Sequence, residues 1–549
     1  MTPQTPKRPH DTGNRPLEVL QLGLLAAYAI YYLWLAFGTP IELVVNGTID
    51  DSYYYLEVAR NLAAGLGSTF DGTAELTNGY HPLWMGLLVP LYALVHDPEL
   101  GLRCALLISG AFGTGMLLIL RRVLNRAVGK WGGTVMLVLF AWPRFFGLTQ
   151  NVLETALLLF LYAWIFRLFV SGRLDSTHRR VGLGLLLGLA MLARLDTVFL
   201  IFSVGCWVVW EWGRGRTLWR ALSVDHSGGE PPTSSQRPLA SSWGRFRSHL
   251  PLACAAIPVL PYLVWNLVVF HHLQPVSGAM KTSFPDPGIH LRPFRDFPEY
   301  LILILVALGI SLWGLSRASS RYTRGLWVFS FAALLHAVYT AVFMVWAVDR
   351  WHFALLVFLG LTALPVLGQR ILDRLPSPVA WTGIGVAIVG AVAVQFYSFG
   401  LRHGRYQADT YAVSIWVRDH VPSDAVLAAT DSGVLAYFSE RSTVNLDGLI
   451  NSFDYLEILR RGNGAVETYL RRKGVGYLLD QVAYDLDDVL SGTYESRRIR
   501  IAYKPGSRIA AEFIVRPEDE VYRRNTLCRR DLGSAQVEPN AIILYRIQP

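Results

Sequence analysis

Asp50 and Asp51 stand side by side in IDDSYYYLEVARNLAAGLG, just beyond the first long apolar stretch of the chain. Adjacent carboxylates at an exposed position have two chemical uses: one can take a proton from a hydroxyl as general base, or the pair can hold a divalent cation through oxygen. The residues that follow have helical spacing, with Tyr54, Val58 and Leu62 on one side and Tyr55 and Glu57 flanking. Asp51 falls at the expected helix start, where a carboxylate accepts backbone N–H groups and stays ionised. A helix cap accounts for one aspartate but less well for two.

Other segments carry polar groups of matching chemistry. In ELTNGYHPLWMG, Asn78-Gly79 predicts a turn and His81-Pro82 opens a short apolar helix. Glu154 lies in TQNVLETALLL at the start of an apolar run, and Arg194 and Asp196, in MLARLDTVFL, are spaced to pair with each other. Lys281 lies in QPVSGAMKTSFPDPG after His271-His272, and Asp349 and Arg350 lie between Trp346 and Trp351. Singly, such cations are interface anchors. Together, Lys281, Arg194 and Arg350 beside an acidic loop describe a site that holds an anion next to a base, and an arginine fork or a lysine point charge suits phosphate.

The elements that position these residues are membrane helices. Of 549 residues 52% are apolar and only 17% charged, against about 25% charged in soluble chains. With 17 Trp, 25 Tyr and 26 Phe, this composition excludes a soluble enzyme, a disordered scaffold and a collagen-like fibre. Cys104, Cys206, Cys254 and Cys528 are scattered without a CxxC, so neither a zinc knuckle nor a disulfide framework is expected. Apolar runs fit spans at about 17–37, 100–120, 132–149, 153–170, 182–193 and 197–212. Others fit at about 250–270, 300–316, 325–347, 352–369 and 379–400, about eleven in all, with no internal repeat.

Charge fixes the sidedness. With 82–95 lying flat as an interfacial helix, the basic run Arg121, Arg122, Arg126, Lys130 falls inside and every later loop agrees. The inner segments then carry 21 lysines and arginines against five acids, in a chain of net charge +9. That charge therefore belongs to the inner membrane face, and no nucleic-acid partner is implied. Residues 1–16 lead into an uncleaved first span, and 213–249 read as a loose basic inner linker touching anionic lipid. The outer loop 38–98 holds seven acids and one base, Arg60. From about Leu401 the composition becomes soluble, with strands at 425–430, 442–447 and 474–480 and helices at 408–420 and 454–472. The expected fold is thus a polytopic α-helical membrane domain, 1–400, followed by an extracytoplasmic α/β domain, 401–549.

The pattern DD-x-Y-Y-Y-x-x-x-A-R-N-L followed by T-N-G-Y-H-P-L-W resembles the GT-C glycosyltransferases, polytopic enzymes that use polyprenyl-phosphate sugars. The similarity is nearest to arabinofuranosyltransferase-like members, alongside the aminoarabinose-transferase and protein O-mannosyltransferase branches. LETALLLFLYAW, ARLDTVFL, the lysine-bearing loop, TDSGVLAYFS and VNLDGL resemble further stations in the same order, although Val276-Ser277-Gly278 departs from the usual lead into the lysine. The resemblance implies two surface-parallel helices in the first outer loop and a catalytic acid there, carried to Asp51 with Asp50 as runner-up. It also implies donor-phosphate contacts at Lys281, Arg350 and Arg194, and substrate contacts at Glu154, His81, Asn78 and Tyr55.

The expected activity is inverting glycosyl transfer from a polyprenyl-phosphate donor to a hydroxyl of a cell-envelope glycan, lipid or protein, at the outer face of a bacterial cytoplasmic membrane. No cofactor is expected for a monophosphate donor. A pyrophosphate donor would call for a divalent metal on Asp50, Asp51 and Glu154. The alternative class is a transporter or lipid flippase, whose ionisable residues belong near the midplane of repeated halves.

Overall fold

The computed structural model describes residues 15–171, 176–210, 242–317, 320–346, 348–401, 406–462, 464–482, 494–503, 509–529 and 537–548. Most of the inner linker, 211–241, and the N-terminal residues 1–14 lie outside the described residues. The remainder of the expected linker is helical, because the helix Ser242–Phe270 begins before the apolar run does.

Among the described residues six helices are long and apolar enough to cross a membrane: Arg15–Phe37, Pro98–Ala127, Leu250–Phe270, Arg321–Phe343, Arg350–Leu372 and Ser377–Gln395. The other expected spans are helical too, at Thr155–Ser171, Thr177–Ala193, 198–210 and Glu299–Arg317, but each is shorter or less apolar than a full crossing. Length and composition alone qualify six helices among the described residues, or seven with the broken pair described next, beside the eleven expected from the sequence. The multi-pass character is plain in either count.

Two breaks matter for function. The expected span 132–149 is two helices, Gly132–Phe140 and Pro143–Gln150, bent by 72°. Pro143 has no N–H to continue the ladder, and it holds Trp142 extended, so the chain turns at that point. Arg194 is likewise extended between Thr177–Ala193 and a 3-10 turn, Leu195–Thr197. Small residues let helices approach closely: Gly184 and Gly188 face Pro251, Ala255 and Pro258 of the neighbouring helix. Leu267, Val268, Val386 and Val389 project outward, as a lipid-facing surface requires.

The first outer loop contains the helices Ile41–Asn46, Asp50–Ala63 and Pro82–Leu94. Thirteen residues rise only about 20 Å, which agrees with the expectation that Pro82–Leu94 does not cross. Asn78-Gly79 carries no turn in the structure, and Gly79 does not take a positive φ. The glycine is required by close approach instead, because a Cβ on Gly79 would run into the Leu449 carbonyl of the outer domain.

The second domain, outer in the expected sidedness, begins with the helix Tyr406–His420 and contains seven strands among the described residues. They are β1 (Val426–Ala429), β2 (Ser442–Asn445), β3 (Val475–Val482), β4 (Arg497–Ala502), β5 (Ile509–Val515), β6 (Glu520–Arg529) and β7 (Val537–Arg546). A mixed sheet has the order β2-β1-β3-β7-β6, parallel across β2, β1 and β3 and antiparallel beyond, while β4 and β5 form a separate hairpin pair. β1 to β3 fall where the sequence predicts them. The expected helix 454–472 is two helices, Phe453–Arg461 and Ala465–Arg472, because Gly462 and Gly464 take positive φ between them.

Candidate active site

The two aspartates part company at the first turn of Asp50–Ala63. The cap of this helix is Ile49, so neither carboxylate caps its own helix. Asp50 is 8% exposed. Its Oδ2 accepts from Gly433 N at 2.8 Å and its Oδ1 from Val434 N at 2.9 Å, at the start of the outer-domain helix Gly433–Ser439. Burial, then the neighbouring Asp431, push the Asp50 carboxyl up, against the pull of the two amides. The Asp51 side chain, by contrast, is 31% exposed and has Lys281 Nζ 3.8 Å from its Oδ2. Burial pushes its carboxyl up, Lys281 opposes, and Glu154 adds to the rise.

Lys281 is carried to this point by a network of backbone bonds. It ends the short helix Val276–Lys281, whose first N–H, on Val276, donates to Asn78 Oδ1 at 2.9 Å. Asn78 is fully buried and also donates to Asn266 Oδ1, so it joins the first outer loop to the lysine segment. At the other end the Lys281 carbonyl accepts from Val345 N and Trp346 N, and Thr282 bridges Met344. The lysine is thereby tied to the turn that leads to Arg350.

Asp51 and Lys281 line a cavity of about 390 Å³ between the membrane helices and the outer domain. Trp346, Asp349, Trp351 and His352 close it from the turn between spans. The outer domain contributes Thr430, Asp431, Asp447 and the end of β4. Asp447 Oδ1 accepts from Leu449 N at 2.8 Å and its Oδ2 from Tyr54 Oη at 2.9 Å. Burial pushes Asp431 up to about 6, with Asp51 adding, and Asp447 up to about 7 against the Leu449 bond. Sequence reasoning matched TDSGVLAYFS and VNLDGL to the family pattern but did not single out Asp431 or Asp447 within them as site residues. The available signal was an acid–glycine turn directly after each strand, DSG and LDG.

The remaining candidates form a second, buried cluster. Glu154 Oε1 accepts from Arg194 Nη1 at 2.8 Å and its Oε2 from Tyr55 Oη at 3.0 Å. The other edge of Arg194 binds Asp196 Oδ2 at 2.8 and 3.0 Å, and His336 Nε2 lies 3.6 Å from the same oxygen. Arg194 is thus neutralised by two acids, which orients Glu154 and leaves no free fork. His81 Nε2 stands 3.8 Å from Glu154, and burial pushes its imidazole down to about 4, so the ring is neutral near pH 7. Arg350 sits with its guanidinium 5.5 Å over the Phe297 ring, and its Nε has no hydrogen-bond partner among the described residues.

Asp50, Asp51 and Glu154 do not converge as a metal site would require: the amides hold Asp50, and Arg194 and Tyr55 hold Glu154. Among the described residues no group of three or more His, Cys, Asp or Glu is arranged to hold a metal ion.

A family model described as a domain of unknown function (DUF8728) matches residues 396–529. No match was found among curated proteins. Solved structures are informative. ArnT from Cupriavidus metallidurans bound to undecaprenyl phosphate is similar at TM-score 0.54 and 14% identity, over 90% of this chain and 98% of that one. Its apo state is similar at 0.51 and 14%, over 91% and 98%. The archaeal oligosaccharyltransferase AglB from Archaeoglobus fulgidus, in complex with an inhibitory peptide and a dolichol-phosphate, is more distant at 0.48 and 11%, over 91% and 74%. The chain has the GT-C fold.

Proposed function

We propose that the protein is a membrane glycosyltransferase that moves a sugar from a polyprenyl-phosphate donor to an acceptor hydroxyl, with inversion, at the extracytoplasmic face. The observation that carries this reading is the cavity in which a partly exposed carboxylate, Asp51, faces a lysine at 3.8 Å. The ArnT structure holds undecaprenyl phosphate, which supports a lipid of that class here.

Asp51 takes the acceptor's hydroxyl proton as its oxygen forms the bond to the anomeric carbon. The bond from that carbon to the phosphate oxygen breaks, and polyprenyl phosphate departs with the electron pair. Lys281 stabilises the charge that gathers on the leaving phosphate, and Arg350, whose sequence neighbours Asp349 and Trp351 line the cavity, is the second cation we assign to it. Asp50 holds the outer domain in place, and Glu154, Arg194, Tyr55 and His81 form the neutral floor that orients the site.

The test uses protein in nanodiscs with a panel of synthetic polyprenyl-phosphate sugars and follows release of free polyprenyl phosphate, with and without chelator. One sugar released regardless of chelator is the expected result. Failure to bind any member of the panel would overturn the reading and favour a transporter.

A further inference from the structure

The outer domain brings more than a cover to the cavity. In β2-β1-β3 the connection from β1 runs to one neighbour and the chain then crosses to the other, so β1 sits at a topological switch point. In open parallel sheets ligands bind outside the carboxyl ends of the strands at such a point. Asp431 lies two residues beyond the end of β1, and Asp447 two residues beyond the end of β2. Both strand ends are turned onto the cavity that contains Asp51.

Three further features call for a ligand there. The Asp431 carboxylate is open to solvent through the cavity but desolvated on its protein side, and its side chain makes no hydrogen bond or ion pair among the described residues. His352 is 8% exposed, holds Asp349 O with Nδ1 at 3.2 Å, and has no hydrogen-bond partner on Nε2 among the described residues, although it lines the cavity. Trp346 and Trp351 supply apolar faces between these polar groups, the composition of a small-molecule site. Among the lining residues the carboxylates of Asp51, Asp349, Asp431 and Asp447 face one cation, Lys281, which Asp51 already engages.

We propose that this strand-end crevice is the acceptor subsite, and that Asp431 and Asp447 accept hydrogen bonds from a neutral, hydroxyl-rich sugar while repelling anionic ones. The inference rests on the glycosyltransferase reading for the word acceptor, and on the crevice alone for the selectivity. Hydroxyl donors satisfy carboxylate oxygens with charge-assisted bonds. A uronate or phosphate at the same position would meet like charge, and juxtaposed like charges in a desolvated contact are strongly disfavoured. The donor phosphate therefore belongs on the Lys281 and Arg350 side, away from the outer-domain acids.

The experiment measures dissociation constants by saturation-transfer NMR on the full chain in nanodiscs at pH 8. The probes are neutral gluco-, manno- and arabino-tetrasaccharides and tetragalacturonate, and undecaprenyl phosphate binding is measured separately. At least one neutral tetrasaccharide should bind, with the uronate roughly tenfold or more weaker. Asp431→Asn, which breaks no bond within the protein, should weaken the neutral sugar severalfold and narrow the discrimination, and Asp447→Asn should do the same. Equal binding of uronate, no binding of any neutral probe, or an unchanged ratio in both variants would overturn the inference. Loss of undecaprenyl phosphate binding in the wild type, with sugar selectivity intact, would instead count against the glycosyltransferase reading.

Discussion

Adjacent, chemically identical side chains acquire different work from their surroundings. Asp50 has both oxygens occupied by amides of the outer domain, whereas Asp51 faces the cavity with only Lys281 opposite. Sequence could rank the two but could not separate them, because the separation depends on a contact 383 residues away. It singled out Lys281 because a lysine expected beside the acidic first outer loop suits an anion, whereas Asp431 and Asp447 lie in segments matched to the family pattern without a role of their own. The electrostatics give a pH prediction. Asp51 must be ionised to act, and its carboxyl is raised above the ordinary value, so kcat/KM should fall as pH drops through a limb that lies above the ordinary aspartate range. Lys281 pulls that value down, so Lys281→Gln should move the limb to higher pH and also lower kcat by roughly 10²-fold. A limb that stays put in Lys281→Gln would contradict the pairing. The outer-domain acids predict a second dependence: Asp431 and Asp447 are protonated below about 6 and 7, so discrimination against the uronate probe should shrink between pH 8 and pH 5.

Among the elements, the acid-rich first outer loop proves to be chiefly a docking surface. Lys473 Nζ lies 2.9 Å from Asp71 and 3.4 Å from Glu75, and its side chain and that of Asp71 are each only 10% exposed. Removing one member of such a buried pair leaves the other charge uncompensated, at a cost of about 3–5 kcal/mol. Lys473→Met should therefore lower the melting temperature and open the outer domain to protease, and Asp71→Asn in the same chain should recover part of the loss. Additive losses in the double variant would argue against the coupling. Helix positions were legible because apolar runs and the 3.6-residue period are local signals. Helix continuity was not. The 72° break at Pro143 had a proline to announce it, but the apolar residues on both sides read as one span. Gly433 marks another approach: a Cβ there would run into the Asp50 carbonyl, so Gly433→Val should loosen the outer domain, as should Asp50→Ala, which removes the acceptor of two amides.

At the scale of the molecule, the membrane domain and the outer domain each supply part of one cavity. The α/β character of the second half was legible from three short strands; β4 to β7 went unread, although Arg498 and Arg500 outward and Ile499 and Ile501 inward give β4 the alternation of a half-buried strand. The sidedness we propose rests on the excess of lysine and arginine in the segments expected to lie inside. In a cysteine-free background, a cysteine in place of Glu518 should react with a membrane-impermeant maleimide in intact spheroplasts, and one in place of Arg126 only after permeabilisation; the reverse pattern would invert the protein. The central claim, outer-face transfer with Asp51 as the base, is tested most directly by single-turnover transfer in nanodiscs, comparing wild type, Asp50→Asn and Asp51→Asn with a polyprenyl-phosphate sugar that the wild type consumes. Asp51→Asn should bind polyprenyl phosphate normally and lose roughly 10³-fold in rate, while Asp50→Asn keeps turning over within about tenfold of wild type. Wild-type turnover by Asp51→Asn would contradict the account.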